Sequence, residues 1–113
     1  MYGITLREIL QKEELKGVKV IAGKKGLDRV VTNVNIMEVP DIEKWVKPGE
    51  LLFTTGYAIK DDHNALNRLI PLFNEKKLAG LGIKPKRYLA GYTEQMINIA
   101  EALDFPIIEF PQH

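Results

Sequence analysis

The sequence has no cysteine and no serine, and only two histidines among its 113 residues. Without cysteine it can form neither a disulfide framework nor a thiolate metal site, and without thiol or serine nucleophiles the common acyl-transfer centres are excluded. His63 and His113 have neither a second histidine nor a paired carboxylate at ligand spacing. We therefore predict no metal, no cofactor and no enzymatic activity for this chain.

An excess of one charge and a long apolar run are also missing. Sixteen basic and fifteen acidic residues leave a formal net charge of +1, whereas a domain that grips nucleic acid usually carries a basic surplus. No apolar run approaches the roughly 20 residues needed to cross a bilayer, and the amino terminus lacks a charged lead followed by an apolar stretch. These absences predict a cytoplasmic chain without a membrane partner.

What the sequence does contain is typical of one compact domain. An apolar fraction of 45% over 113 residues is sufficient for a single hydrophobic core, so we assign residues 1–113 to one domain. The chain stops at "FPQH", directly after a predicted strand. We therefore expect a domain taken from a longer protein.

The first half of the chain predicts a capped helix followed by two strands. Thr5 and Glu8 have the spacing of a capping box at the start of a short helix. "VKVIAG" and "RVVTNVNIMEV" then predict an antiparallel hairpin joined by "GKKGLDR". Within the second strand Val34 and Ile36 share one face and Asn35 lies on the other, a pattern that favours a half-buried strand.

The second half alternates strands and helices. "VPDIEKW" predicts a short helix that Pro48-Gly49 ends, and from Leu51 the order is strand, helix, strand, helix, strand. Such alternation is typical of parallel strands joined by crossover helices. The expected fold class is α/β, with a mixed, mostly parallel sheet, an antiparallel amino-terminal hairpin and helices packed on the sheet.

Small polar residues at strand ends are the candidate binding residues. Thr54, Thr55 and Gly56 follow the apolar strand "LLF", and ligands of open α/β sheets tend to bind outside the carboxyl ends of strands. Glu38 ends its own predicted strand and can approach the same side. A simpler alternative is that the threonines only favour strand geometry and the glycine forms a turn.

Two longer stretches carry a family resemblance. "GLDRVVTNVNIMEVPDIEKWVKPGELLFTTGYAI" and "LAGLGIKPKRYL" resemble the amino-terminal domain of the purine catabolism regulator (PucR) family. The resemblance implies a bacterial transcriptional regulator built from an amino-terminal sensory domain, a linking region and a carboxyl-terminal helix-turn-helix. DNA would then be bound only through a segment outside this chain, and purine-degradation metabolites would be the class of small-molecule effector.

Our leading hypothesis is a ligand-responsive regulatory domain. The residues expected to hold the effector are Asp28, Arg29, Glu38, Thr54, Thr55 and Gly56. Arg29 can bind an anionic group of the ligand, or it can form a structural pair with Asp41 or Glu38. The alternative hypothesis is a homodimerisation or protein-interaction module without a small-molecule ligand, with Trp45 or Tyr57 in the contact.

Overall fold

A computed structural model describes residues 3–37, 41–55, 64–84 and 94–111. Short 3₁₀ turns lie at Glu13–Leu15, Lys24–Gly26 and Ile42–Lys44. The strands and α-helices are, in chain order, β1 (Ile4–Thr5), α1 (Leu6–Leu10), β2 (Lys19–Ala22), β3 (Val30–Val31), β4 (Asn33–Met37), β5 (Glu50–Thr54), α2 (Ala65–Glu75), β6 (Gly80–Ile83), α3 (Glu94–Leu103) and β7 (Ile107–Glu109).

The main sheet has five strands in the order β2-β7-β6-β5-β4. β4, β5, β6 and β7 pair in parallel, and β2 pairs antiparallel with β7 at one edge. β1 and β3 form a separate two-stranded antiparallel sheet. The predicted α/β class with a mixed, mostly parallel sheet is confirmed.

The partners predicted for the amino-terminal hairpin are wrong. β2 pairs with β7, where Val20 lies beside Ile108, and it does not pair with the strand that follows it. The stretch predicted as a single second strand is divided at Thr32 into β3 and β4. The Thr32 amide donates to the Gly49 carbonyl at 2.9 Å, so the chain passes from the small sheet to the edge of β5 at this point. The amino-terminal antiparallel element exists, but it consists of β1 and β3.

The start of α1 follows the sequence prediction. The Glu8 amide donates to Thr5 Oγ1 at 3.1 Å, and Glu8 Oε1 accepts from the Thr5 amide at 3.0 Å. This reciprocal pair gives side-chain acceptors to two backbone amides, which would otherwise lack partners at a helix start. The capping box at Thr5 is confirmed.

Apolar residues cover both faces of the main sheet. On one face α2 and α3 pack against Leu52, Leu81, Ile83 and Ile107. On the other face the α1 region packs against sheet residues that include Leu51 and Ile108. The alternation of side chains along β5 and β7 therefore supplies both cores.

α2 is amphipathic, with its apolar side chains on one face. Leu66, Leu69, Ile70 and Phe73 are all buried. Pro71 lies inside the helix but on its exposed side, and the helix continues to Glu75. In α3 Met96 and Ala100 are also buried.

Candidate ligand-binding site

A cavity of about 470 Å³ lies at the carboxyl ends of the parallel strands. The residues that line it come from the ends of β4, β5 and β6, from the 3₁₀ turn after α1 and from the segment after β7. They are Glu14, Ile36, Phe53, Thr54, Thr55, Gly82, Lys84, Phe110 and Pro111. We call this the strand-end cavity, and its position is the usual place for a ligand on an open α/β sheet.

One wall of the strand-end cavity is apolar. The rings of Phe53 and Phe110 lie 4.9 Å apart between centroids, with their planes inclined by 50°. Gly82 stands beside Phe53 in the β5–β6 register, and a Cβ at that position would lie 2.6 Å from the Phe53 ring and 2.8 Å from the Phe110 ring. The absence of a side chain at Gly82 therefore lets both rings lie across the strand. Ile36, which is 63% exposed, continues this wall onto β4.

Two of the described residues that line the cavity are charged. Lys84 follows β6, and its amide donates to the Thr54 carbonyl at 3.2 Å, which holds the two strand ends together. Glu14 reaches the cavity from the 3₁₀ turn at Glu13–Leu15. Neither Glu14 nor Lys84 has an ion-pair partner among the residues that the structure describes. A carboxylate such as that of Glu14 accepts hydrogen bonds and an ammonium such as that of Lys84 donates them, so the two groups differ in the ligand atoms that they can bind.

The structure brings two of the predicted site residues to this cavity. Thr54 is 4% exposed, so it presents little surface to a ligand, whereas Thr55 is half-buried at the cavity wall. Glu38 and Gly56 lie outside the described residues. The assignment of Thr54 and Thr55 to a ligand site remains a prediction, and the cavity gives it a location.

Asp28 and Arg29 do not line the strand-end cavity. Asp28 Oδ1 accepts from Arg7 Nε at 2.9 Å in an ion pair whose two side chains are exposed. Such an exposed pair contributes little to stability. Its partner comes from α1, so Asp28 joins the loop before β3 to the first helix.

Arg29 is held by three oxygen acceptors. Its Nη1 donates to the Leu78 carbonyl at 2.9 Å, and its Nη2 donates to Asn74 Oδ1 at 2.7 Å and to the Leu103 carbonyl at 3.2 Å. The guanidinium carbon also lies 5.2 Å from the centroid of the Phe105 ring. These contacts join the chain before β3 to the ends of α2 and α3.

The surroundings of Arg29 are those of a structural residue. Burial lowers the pKa of Arg29, and the nearby Asp104 carboxylate opposes that shift. Neither of the pairs considered from the sequence is seen: Asp41 is not a partner among the described residues, and Glu38 lies outside them. Three of the five N–H donors of the guanidinium are used within the fold.

Two cavity residues could be predicted by the strand-end argument that identified Thr54 and Thr55. Lys84 and Phe110 come directly after the parallel strands β6 and β7, so the same strand-end argument identifies both. Gly82 lies within its strand, and its role depends on two rings from other parts of the chain. Glu14 belongs to a turn whose place over the sheet has no local sequence signal.

Residues 3–37, 41–55, 64–84 and 94–111 contain no group of three histidine, cysteine, aspartate or glutamate residues placed to hold a metal ion. Across the same ranges, the structure shows no helix with the length and apolar character needed to span a membrane.

Comparison with known proteins identifies sequence relatives over nearly the whole chain. The model of the purine catabolism regulatory protein-like family matches residues 8–113. The purine catabolism regulatory protein of Bacillus subtilis (strain 168) is 39% identical over 110 residues, which cover 97% of this chain and 21% of the relative. The transcriptional activator PmfR of Paenarthrobacter nicotinovorans is 29% identical over 105 residues, covering 93% of this chain and 22% of that protein.

A solved structure shows the same fold. It contains the CBS and DRTGG domains of the regulatory region of Clostridium perfringens pyrophosphatase, complexed with the activator diadenosine tetraphosphate. The TM-score is 0.58 at 12% sequence identity, and the match covers 96% of this chain and 42% of that one. At this identity the likeness concerns the fold alone. The chain spans about a fifth of the length of the curated relatives it matches.

Proposed function

Because the chain belongs to the purine catabolism regulatory protein-like (PucR) family, we propose that it is the effector-sensing domain of a bacterial transcriptional regulator. The relatives carry the names of a regulatory protein and a transcriptional activator, and the chain corresponds to about a fifth of each. We assign DNA binding to a part of the regulator outside this chain. The near-neutral charge of +1 agrees with that division of roles.

The strand-end cavity is the observation that carries the proposal. Its volume of about 470 Å³ suits a small molecule, since ligand pockets commonly span roughly 300–1,000 Å³. Its described residues combine an apolar wall with the Lys84 ammonium and the Glu14 carboxylate, and pockets of this kind fix a ligand's orientation through a few polar groups. Thr55 adds a hydroxyl at the wall.

The lining favours a compact, largely flat effector. Phe53, Phe110 and Ile36 can pack against a ring or a planar amide. Lys84 can donate to a carbonyl or carboxylate, and Glu14 can accept from N–H groups. Purine-degradation metabolites have this combination of planar groups, carbonyls and N–H donors. The activator bound to the structural neighbour contains adenine rings, which is compatible with a related use of this fold.

The proposed mechanism is a shift between two arrangements of the regulator. An effector acts only through a difference in its affinity for those arrangements. The strand-end cavity lies against Phe110 and Pro111, the residues that follow β7. Binding there changes the packing of the segment that leads away from the sheet, and this is the change that we expect the DNA-binding region to sense.

Isothermal titration with a panel of purine-degradation compounds tests the proposal. We expect one or a few of the compounds to bind, and we expect Lys84→Met to weaken that binding ~tenfold or more, because a charge-assisted hydrogen bond is lost while the aliphatic stem is kept. Lys19→Met, at an exposed position of β2, is the matched control. No heat from any compound with a folded domain would contradict purine sensing. Unchanged affinity in Lys84→Met would contradict binding of the effector in the strand-end cavity.

A further inference from the structure

We propose that β4 pairs antiparallel with β4 of a second copy of this chain, around a twofold axis at Asn35. This inference is independent of the effector. The dimer considered from the sequence placed Trp45 or Tyr57 in the contact. Trp45 is indeed 63% exposed, and Tyr57 lies outside the described residues. The geometry points instead to the edge of the main sheet.

β4 is an open edge strand with exposed apolar side chains. It is the last strand of the order β2-β7-β6-β5-β4, and no other strand of the described ranges pairs with its outer side. Val34 and Ile36 are 54% and 63% exposed. The side chains of Asn33 and Asn35 lie on the opposite face, where both donate to Glu50 Oε2. The alternation predicted from the sequence is present, but its apolar face is the one left uncovered.

The usual protections of an edge strand are missing from β4. Residues 31–37 contain no charged side chain and no proline. The register with β5 runs without a bulge from Asn33 beside Glu50 to Met37 beside Thr54. Natural proteins normally block a free edge with charges, prolines or bulges, because an open edge recruits another strand. With a net charge of +1, two copies repel each other little.

The backbone groups of β4 that face outward can be assigned from the hydrogen bonds of β5. The Thr54 carbonyl accepts from the Lys84 amide on the β6 side, and backbone groups alternate along a strand, so those of Phe53 point toward β4. Phe53 lies beside Ile36, and in a parallel ladder a residue bonds to the neighbours of its partner, which here are Asn35 and Met37. The backbone groups of Val34 and Ile36 therefore point away from β5. Antiparallel pairing centred on Asn35 joins Val34 to Ile36 of the partner subunit in a hydrogen-bonded pair, and the twofold axis repeats that pair.

The same register brings the exposed apolar side chains together. It places Val34 opposite Ile36 of the partner subunit, and Ile36 opposite Val34 of the partner subunit. In such directly opposite pairs the Cβ atoms lie about 4.5–5.5 Å apart, which is close enough for the two side chains to contact each other. The strand is thus complementary to itself under a twofold axis, which is the requirement for an isologous dimer. This match favours a second copy over an unrelated partner as the occupant.

The paired surface is small, so association should be reversible. An edge of five residues covers well under the roughly 1,600 Å² of a standard protein interface. Ile36 also lines the strand-end cavity. The proposed contact therefore adjoins the proposed effector site.

The test uses charge at the two facing positions. In Val34→Lys with Ile36→Lys, each lysine faces a lysine of the partner, so association should be lost. In Val34→Glu with Ile36→Lys, each glutamate faces a lysine of the partner, and association should persist with increased sensitivity to salt. Leu72→Lys, at a 36% exposed position of α2, should associate like the unchanged chain. Sedimentation equilibrium over a wide concentration range measures all four proteins, with circular dichroism as a check of folding.

Hydrogen exchange locates the contact. We expect the amides of Val34 and Ile36 to exchange more slowly as protein concentration rises, and the same two positions to lose this protection in the double-lysine variant. A chain that stays monomeric at every concentration overturns the proposal. The same result is expected if another segment of a longer protein occupies the edge of β4. Association of the double-lysine variant, or concentration-dependent protection only elsewhere, overturns it as well.

Discussion

Arg29 Nη2 donates to Asn74 Oδ1 at 2.7 Å, and this bond joins the chain before β3 to the last turn of α2. The same guanidinium also donates to the carbonyl groups of Leu78 and Leu103. A residue that the sequence suggests as a ligand contact therefore connects the small β1–β3 sheet to both long helices.

Arg29→Ala should lower the free energy of unfolding by about 2–4 kcal/mol, because three acceptors lose a charged donor. The unfolding free energy of Arg29→Lys should fall between those of Arg29→Ala and the unchanged chain, since lysine keeps the charge without the planar fork. Urea unfolding measures the loss. Arg7→Ala is the control and should cost less than about 1 kcal/mol, because its ion pair with Asp28 is exposed. Equal losses in Arg29→Ala and Arg7→Ala would contradict a structural role for Arg29.

Gly82→Ala should displace the two rings of the strand-end cavity. Its Cβ would lie 2.6 Å from the Phe53 ring and 2.8 Å from the Phe110 ring, so we expect a cost of about 1–3 kcal/mol and altered NMR signals of both rings. Gly80→Ala on the same strand is the matched control, since its shortest contact would be 3.1 Å, to the Pro106 carbonyl. Ring signals that change no more in Gly82→Ala than in Gly80→Ala would count against the described wall.

The capping box predicts a dependence on pH. The Thr5 amide, then the Thr5 hydroxyl and more weakly Lys12, lower the pKa of Glu8 from its ordinary value of 4.5. A lowered folded-state pKa means that the ionised carboxylate stabilises the fold above about pH 4.5 and that this contribution is lost as the pH falls through the folded value.

Glu8→Gln should therefore lose stability relative to the unchanged chain at pH 7, and the difference should shrink below pH 4.5. Unfolding free energies of both proteins, measured from pH 7 to below pH 4.5, test this prediction. Glu75→Gln, at the exposed end of α2, is the control. A difference between Glu8→Gln and the unchanged chain that stays constant across the range would refute the assignment.

Adjacent residues of α2 test the orientation of the helix. Phe73 is fully buried, and Phe73→Ala should cost about 3–5 kcal/mol because it leaves a cavity. Leu72 is 36% exposed, so Leu72→Ala should cost about 1 kcal/mol or less. Thermal and urea unfolding of the two variants measure the contrast. Similar losses of stability at both positions would contradict the orientation of α2 in which Phe73 faces the core and Leu72 does not.

Much of the local structure could be predicted from the sequence. Thr5 and Glu8 lie three residues apart, and a capping box needs nothing beyond them. The buried face of α2 follows from a spacing that repeats every three or four residues. The parallel pairing of β5, β6 and β7 follows from the intervening helices, since a short turn cannot join parallel strands.

The strand partners at the amino-terminal end could not be predicted in the same way. β2 and the strand after it are apolar enough to pair with each other, and only the full fold shows that β2 lies beside β7 and β3 beside β1. The burial of β4 is a similar case. Its alternation is visible in the sequence, but which face is covered depends on Glu50, which accepts from Asn33 and Asn35.

The sequence by itself determined the α/β class, the helix faces and the strand end at which Thr54 and Thr55 lie. These features depend on residues within a few positions of each other, because backbone hydrogen bonding and side-chain periodicity are local. Only the tertiary structure decided that Glu14, Gly82 and Phe110 meet Thr55 around one cavity, and that Arg29 donates to α2, to the end of α3 and to the segment before β6. Those contacts join residues far apart in the chain, and no local pattern specifies them.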